Sequence, residues 1–252
     1  MSFEVAADAY DRFMGRFSRL LSPQMLELAG VHAGQDALDV GCGTGALTSL
    51  LVERLGSEHV TGIDPSAAFV DAARERFPGV RIEHGSAESL PFADDAFDVA
   101  LAQLVVHFMS DPVAGLREMA RVTRPGGVVA ACVWDHGGGT GPLSLYWRAA
   151  HDVDPASPDE SNLPGARSGH LVELFESAAL HDVEGSVVVA ELEMPTFDDY
   201  WAPFERGVGP AGAHLASLDL PARARLHDRA RELAGGEPFT ITARAWAARG
   251  TA

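Results

Sequence analysis

A chain of 252 residues, 46% hydrophobic and 22% charged, is long enough to bury a core without disulfide or metal staples. That composition excludes collagen, low-complexity disorder and small disulfide scaffolds. Nineteen basic residues, all arginine, face 36 acids for a net charge of −17, a surface that repels phosphate backbones and anionic lipid and argues against a nucleic-acid or membrane-surface binder.

Met1 to Asp11 carries Glu4, Asp8 and Asp11 and has no apolar centre, unlike a signal peptide. No apolar run approaches the ~18 residues that span a bilayer, so a cytoplasmic protein is expected. From Ala37 onward, short apolar runs alternate with helical patterns. Ala37–Val40 predicts a strand ending at a glycine cluster, and Leu47, Leu50, Leu51 and Leu55 predict a helix stopped by Gly56. His59–Ile63 predicts a second strand; Ser66 caps a helix with Phe69, Val70, Ala73 and Phe77 on one face. Val80–Glu83 and Phe97–Leu101 predict the third and fourth strands, and Asp111-Pro112 opens another helix. Pro125-Gly126-Gly127 turns the chain into a fifth strand, Val128–Val133.

Beyond it, Gly137–Gly141 predicts a loop and Asp152–Gly165 a long surface connection. Gly169–Ala179 and Pro221–Ala234 predict helices, and Val183–Glu193 and Phe239–Ala247 long strands that form an edge hairpin interrupted by a helical insertion. The expected fold is α/β: a doubly wound, seven-stranded, mostly parallel sheet with an antiparallel edge hairpin. One domain over 1–252 divides into a helical cap over 1–30, a cofactor-binding core over 36–134 and a helical insertion over 194–235.

The central motif is Leu38-Asp39-Val40-Gly41-Cys42-Gly43-Thr44-Gly45, placed between a strand and a helix. Glycines there let the backbone turn sharply and approach a ligand at the carboxyl end of a strand. The spacing is G-x-G-x-G, not the G-x-G-x-x-G of dinucleotide folds. A second acid, Asp64, lies nineteen positions beyond Gly45, where a carboxylate accepts ribose hydroxyls.

With Ile63-Asp64-Pro65-Ser66, Gly85–Phe92, Asp94–Asp98 and Arg121–Gly127 following in order, the stretch from Ala37 to about Trp134 resembles the class I S-adenosylmethionine-dependent methyltransferases. It is most similar to the small-molecule type related to ubiquinone and menaquinone C-methyltransferases. The resemblance implies that Gly41, Gly43 and Gly45 lie under the methionine part of the cofactor. Asp39 would orient that loop or meet the amino group, and Asp64, followed by Pro65, would bind the ribose. Ala87 would offer its backbone to adenine with Ser86 or Glu88 beside it, and Gln103 and Leu104 would flank the methionine. Ser86 stands where the family usually has an acid, which weakens the adenine contact. Tyr10-Asp11-Arg12-Phe13-Met14-Gly15-Arg16-Phe17 resembles a leading segment of this subgroup, which would place Arg16 at the cofactor carboxylate with Tyr10 nearby. Each assignment has a plainer alternative: a nicotinamide site for the loop, a packing helix for Tyr10 and Arg16, a solvated acid for Glu88, turn residues for Asp94 and Asp95.

Methyl transfer from a sulfonium is an in-line displacement in which the protein mainly supplies position and a dry setting. A base is needed only if the acceptor must lose a proton. His107 and His136 lie just past the fourth and fifth strands, where an acceptor would sit, and an ordinary imidazole near pKa ~6.5 suits that role. They could equally be packing and loop residues. No histidine shows metal-ligand spacing, so no metal is expected. Cys42 and Cys132 fall two strand spacings apart, too far to bridge. Phe197, Tyr200, Trp201, Phe204 and Trp147 could cover an apolar acceptor or simply pack the insertion. A small-molecule methyl acceptor is thus expected, with a non-catalytic cofactor-binding regulator and an NAD(P)-dependent oxidoreductase as rivals.

Overall fold

A computed structural model describes the backbone of residues 7–252 and the side chains from residue 13 onward. The chain begins with α1 (Ala7–Ala29) and then alternates β1 (Ala37–Val40), α2 (Ala46–Leu55), β2 (Val60–Asp64), α3 (Ala67–Arg76), β3 (Arg81–His84), β4 (Phe97–Gln103), α4 (Pro112–Val122) and β5 (Thr123–Trp134). It continues through α5 (Ser144–Val153), α6 (His170–Ser177), β6 (His181–Met194), α7 (Phe197–Glu205), α8 (Gly209–Ser217), α9 (Leu220–Ala234) and β7 (Phe239–Thr251).

The strands form one seven-stranded sheet in the order β3-β2-β1-β4-β5-β7-β6. Pairings from β3 through β5 are parallel; β7 runs antiparallel to both β5 and β6. This is the expected Rossmann-like methyltransferase architecture, with the α7–α9 segment inserted between the two hairpin strands. Ligand crevices in such sheets open at the carboxyl ends of strands flanking the reversal of strand order, which here falls between β1 and β4.

Side-chain alternation divides the interior into two layers. Along β5, Ala130, Cys132 and Trp134 face one core, while Val129, Ala131 and Val133 face the other. The first layer holds α1, α2, α5 and the insertion; the second holds α4 and α6. Phe13, Phe17, Leu21 and Met25 recur every fourth residue along α1, each at most 2% exposed, the spacing that puts them on one helical face. The Phe17 ring meets Trp134 edge-on at 6.2 Å. Farther along α1, Gln24 bonds to the edge strand as another strand would. Its Nε2 donates to the Val189 carbonyl at 2.8 Å, and its Oε1 accepts from the Val189 N–H at 3.0 Å.

Several predicted boundaries move. The fifth strand begins at Thr123, because Thr123 pairs with Phe97 and the Pro-Gly-Gly turn is absorbed as an irregularity in the ladder. His59 ends a short 3-10 turn rather than opening β2. The segment read as a surface connection from Asp152 starts inside α5, and it returns inward at Glu160, 7% exposed, and Ala166. Phe197, Tyr200, Trp201 and Phe204 are all buried, and they pack the insertion against α1 and α5. Tyr200 accepts from the Tyr146 N–H at 3.1 Å, and Phe204 meets Phe13 at 5.3 Å. Cys42 and Cys132 are free and buried.

Replacing Phe17 by Ala removes the contact that seats α1 on the sheet and is expected to cost about 3–5 kcal/mol of unfolding free energy. A urea-denaturation loss below about 1 kcal/mol would show that α1 does not share the core.

Candidate functional site

β1 delivers the chain to Gly41 at the centre of the sheet. The N–H groups of Gly41 and Cys42 both donate to the Ile63 carbonyl, at 2.7 and 3.1 Å, which ties the glycine loop to β2. Gly41, Gly43 and Gly45 all have positive φ, at 68°, 56° and 90°, a region that L side chains avoid. Two also have no room: a Cβ at Gly41 would sit 2.4 Å from Val105, and one at Gly45 2.2 Å from Phe77. Nothing lies within 4 Å of a Cβ built at Gly43, so its Cα faces open space.

Two carboxylates brace this loop. Asp64 Oδ2 accepts from the Gly43 N–H at 2.9 Å, while Oδ1 accepts from the Ser66 N–H at 2.8 Å. Asp39, 1% exposed, accepts from Thr48 Oγ1 at 2.6 Å. Burial pushes the Asp39 carboxyl up to about 7, and the neighbouring Asp64 charge adds to the rise. Burial raises Asp64 as well, against the two backbone bonds that hold it ionised.

These groups line a cavity of about 630 Å³, within the range of small-molecule and cofactor sites. Asp39, Gly41, Gly43, Asp64, Pro65, Gln103 and Leu104 all line it, with Gly45 immediately behind as the N-cap of α2. Gln103 donates from Nε2 to the Ser18 carbonyl at 3.1 Å, and its buried Oε1 has no partner. Leu104, at φ 64°, holds its backbone on the Cys132 carbonyl at 2.9 Å. The lining contains two acids and, among the described residues, no arginine or histidine.

Other expected site residues lie elsewhere. The Arg16 guanidinium turns toward β6 and donates to the Glu193 carbonyl at 3.4 Å, so it does not reach the cavity. Tyr10 has its side chain outside the described residues. Ser86 bonds to Glu88, whose other oxygen accepts from the Ser110 N–H at 2.8 Å and so anchors the approach to α4. Ser86, Ala87 and Glu88 do not line this cavity, nor do His107 and His136. The ordinary imidazole pKa expected of the two histidines does not hold: burial lowers His107 to about 3 and His136 to about 4. Ser18, Val105 and Phe108 also line it and carried no sequence motif, although the last two follow the end of β4, where this fold places ligands; Gly15, in the leading segment, lines it too. Among the described residues no group of three or more His, Cys, Asp or Glu side chains gathers as a metal site, and no helix is long and apolar enough to cross a membrane.

Residues 38–131 match a family described as a methyltransferase domain. The match spans the strand, the glycine loop and Asp64 that build the cavity, so this stretch is similar to a methyltransferase domain and its fold agrees. The chain is 36% identical over 148 residues to the malonyl-[acyl-carrier protein] O-methyltransferase of Pectobacterium atrosepticum, covering 58% of this chain and 56% of that one. It is 35% identical over 135 residues to the demethylmenaquinone methyltransferase of Staphylococcus aureus, covering 50% and 56%. The chain thus spans little more than half the length of these relatives. In fold it is similar to a SAM-dependent methyltransferase of Thermotoga maritima, with a TM-score of 0.55 at 19% identity over 98% of this chain and 99% of that one.

The raised Asp39 pKa carries a stability signature. An acid protonated more readily in the folded than in the unfolded chain costs stability as pH rises from about 4 to about 7. Asp39→Asn, which keeps an acceptor for Thr48, is expected to gain in melting temperature relative to the parent across that window and to hold its advantage above it. A pH-independent difference would mean Asp39 titrates normally.

Proposed function

We propose that this chain transfers a methyl group from S-adenosylmethionine to a small-molecule acceptor. The observation that carries the reading is the cavity lining: open space over the Gly43 Cα, an unpaired acceptor on Gln103, and the acids Asp39 and Asp64 with no arginine or histidine among them. Two carboxylates favour a ligand bearing positive charge, as a sulfonium nucleoside with a free amino group does, and oppose the pyrophosphate of a nicotinamide dinucleotide. The residues therefore fit the cofactor that the domain implies.

Bound there, S-adenosylmethionine supplies a methyl group already activated by its sulfonium. Asp64 keeps lone pairs free beyond its two backbone bonds and can accept ribose hydroxyls. The open face of Gly43 gives the methionine part room to approach, and Asp39 or the Gln103 oxygen can receive the amino group. Leu104, Val105 and Phe108 keep water from the reacting carbon, which leaves alignment as the main catalytic contribution. Residues 36–134 hold the cofactor. The cap over 1–30 covers it through Gly15 and Ser18, and the 194–235 insertion braces that cap through Phe204. The partial likeness to quinone and acyl-carrier methyltransferases supports an acceptor outside the nucleic acids, as does the net charge.

Calorimetric titration with S-adenosylhomocysteine, NAD and NADP tests the reading directly. Micromolar binding of the nucleoside alone is expected; binding of a dinucleotide, or of none of the three, would overturn it. Asp64→Ala is expected to weaken S-adenosylhomocysteine by about 1–3 kcal/mol. Unchanged affinity in a folded variant would remove Asp64 from the site.

A further inference from the structure

The histidines beyond β4 and β5 stand apart from the cofactor half, and they carry unpaired polar atoms in the interior. His107 is 4% exposed and the His136 side chain 5%. Nδ1 of the first and Nε2 of the second are buried without a hydrogen-bond partner. The two rings lie 6.0 Å apart between centroids, with 65° between their planes. A buried polar atom left unpaired costs about 1–3 kcal/mol, so two at one place call for an explanation, and a ligand that pairs them is one. The pair also adjoins the cavity: the Phe108 ring lies 3.9 Å from that of His107, and Phe108 is part of the cavity wall.

The surroundings restrict what such a ligand can be. Glu160 enters from the loop after α5, accepts from Trp147 Nε1 at 3.0 Å, and holds its other oxygen 3.9 Å from His136 Nε2. Asp135 and Asp159 also favour a charged His136, yet burial outweighs them and the imidazole stays neutral. A place where acids cannot keep an imidazole protonated opposes an ammonium group through the same desolvation. A carboxylate or phosphate would meet Asp135 and Asp159 as like charges, beside a Glu160 carboxyl whose pKa burial raises. What remains is a neutral group. A neutral imidazole offers one donor and one acceptor, and a hydroxyl offers both in return.

We propose that His107 and His136 bind the hydroxyl of an uncharged, otherwise apolar acceptor, which makes the chain an oxygen-directed methyltransferase. The proposal rests on the methyl-transfer reading above. In the step, the acceptor oxygen forms a bond to the methyl carbon. The carbon–sulfur bond breaks, and its electron pair stays on sulfur as a neutral thioether. The hydroxyl proton passes to an unpaired imidazole nitrogen. A weakly basic imidazole suffices, because the proton on a newly alkylated oxygen is strongly acidic.

Phenol, benzylamine and benzoate place a neutral hydroxyl, a cation and an anion on one ring, and each can be titrated into the full chain saturated with S-adenosylhomocysteine. Phenol is expected to bind at least about tenfold more tightly than the other two. His107→Leu and His136→Leu are each expected to weaken phenol about tenfold while leaving S-adenosylhomocysteine affinity unchanged. His107→Gln, which keeps a hydrogen-bonding group, should recover part of the loss and stands in if the leucine variant fails to fold. Three results would overturn the proposal: no preference for phenol, equal phenol affinity in the variants, or no binding of any probe. The last would assign the two nitrogens to buried water. Failure of S-adenosylhomocysteine to bind is read before any probe is added, and it brings down the methyl-transfer reading together with this one.

Discussion

One carboxylate, that of Asp64, holds two loops at once. It closes β2, accepts the Gly43 N–H with one oxygen and the Ser66 N–H with the other, and so fixes the glycine loop against the start of α3. The brace adds to the bonds that Gly41 and Cys42 make to Ile63 and that the Gly45 N–H makes to the Cys42 carbonyl at 2.9 Å, and it is the one that reaches Gly43. Two of the three glycines are also wedged against Val105 and Phe77, so the loop has one shape and a narrow choice of residues. The carboxylate is buried at the cavity, where desolvation opposes its charge and the two N–H donors support it. The structural brace and the proposed ribose acceptor are thus the same carboxylate, and a substitution there would disturb both.

The parts of the molecule that were legible in the sequence are those written locally. The strand–glycine–helix passage from Leu38 to Leu55, the Ser66 and Asp111 caps, and the alternating strands each signal themselves within about ten residues. Asp39, Gly41, Gly43 and Asp64 lie on two adjacent strand ends, so their convergence followed once a parallel sheet was inferred. α8 was not legible: Gly209-Pro210-Ala211-Gly212 has poor helix propensity, and the helix is held by burial of Ala211 and Leu215. Arg16 sits on an amphipathic helix whose rotation is set by Phe13 and Phe17, and that rotation aims it at β6. Glu160 lies in a polar stretch whose composition reads as surface, while its burial comes from Trp147, thirteen residues earlier in the chain. The proposed acceptor side assembles from the ends of β4 and β5 and a distant loop, and no short pattern encodes such a meeting.

The electrostatics of the two sides run in opposite senses. Around Asp39 and Asp64 burial makes both carboxyl groups hold their protons longer, the Asp64 charge adding to the rise at Asp39, so a cation there would relieve them. Around His107 and His136 the interior refuses positive charge even with acids close by. A cation is therefore favoured on one side of the Phe108 wall and disfavoured on the other. This polarity would seat a charged cofactor and an uncharged acceptor without exchange of places.

The helix α1 joins two parts of the molecule that otherwise have nothing in common. Gly15 and Ser18 cover the cavity, while one and a half turns on, Gln24 occupies both outward hydrogen-bonding groups of Val189 on the edge strand β6. An open edge is a template for pairing with another chain, and here a single side-chain amide fills the place a neighbouring strand would take. A displacement of α1 as a rigid body that widened the cavity would strip the amide from Val189 in the same movement. The seat of α1 thus couples the cavity lining to the edge of the sheet at Val189.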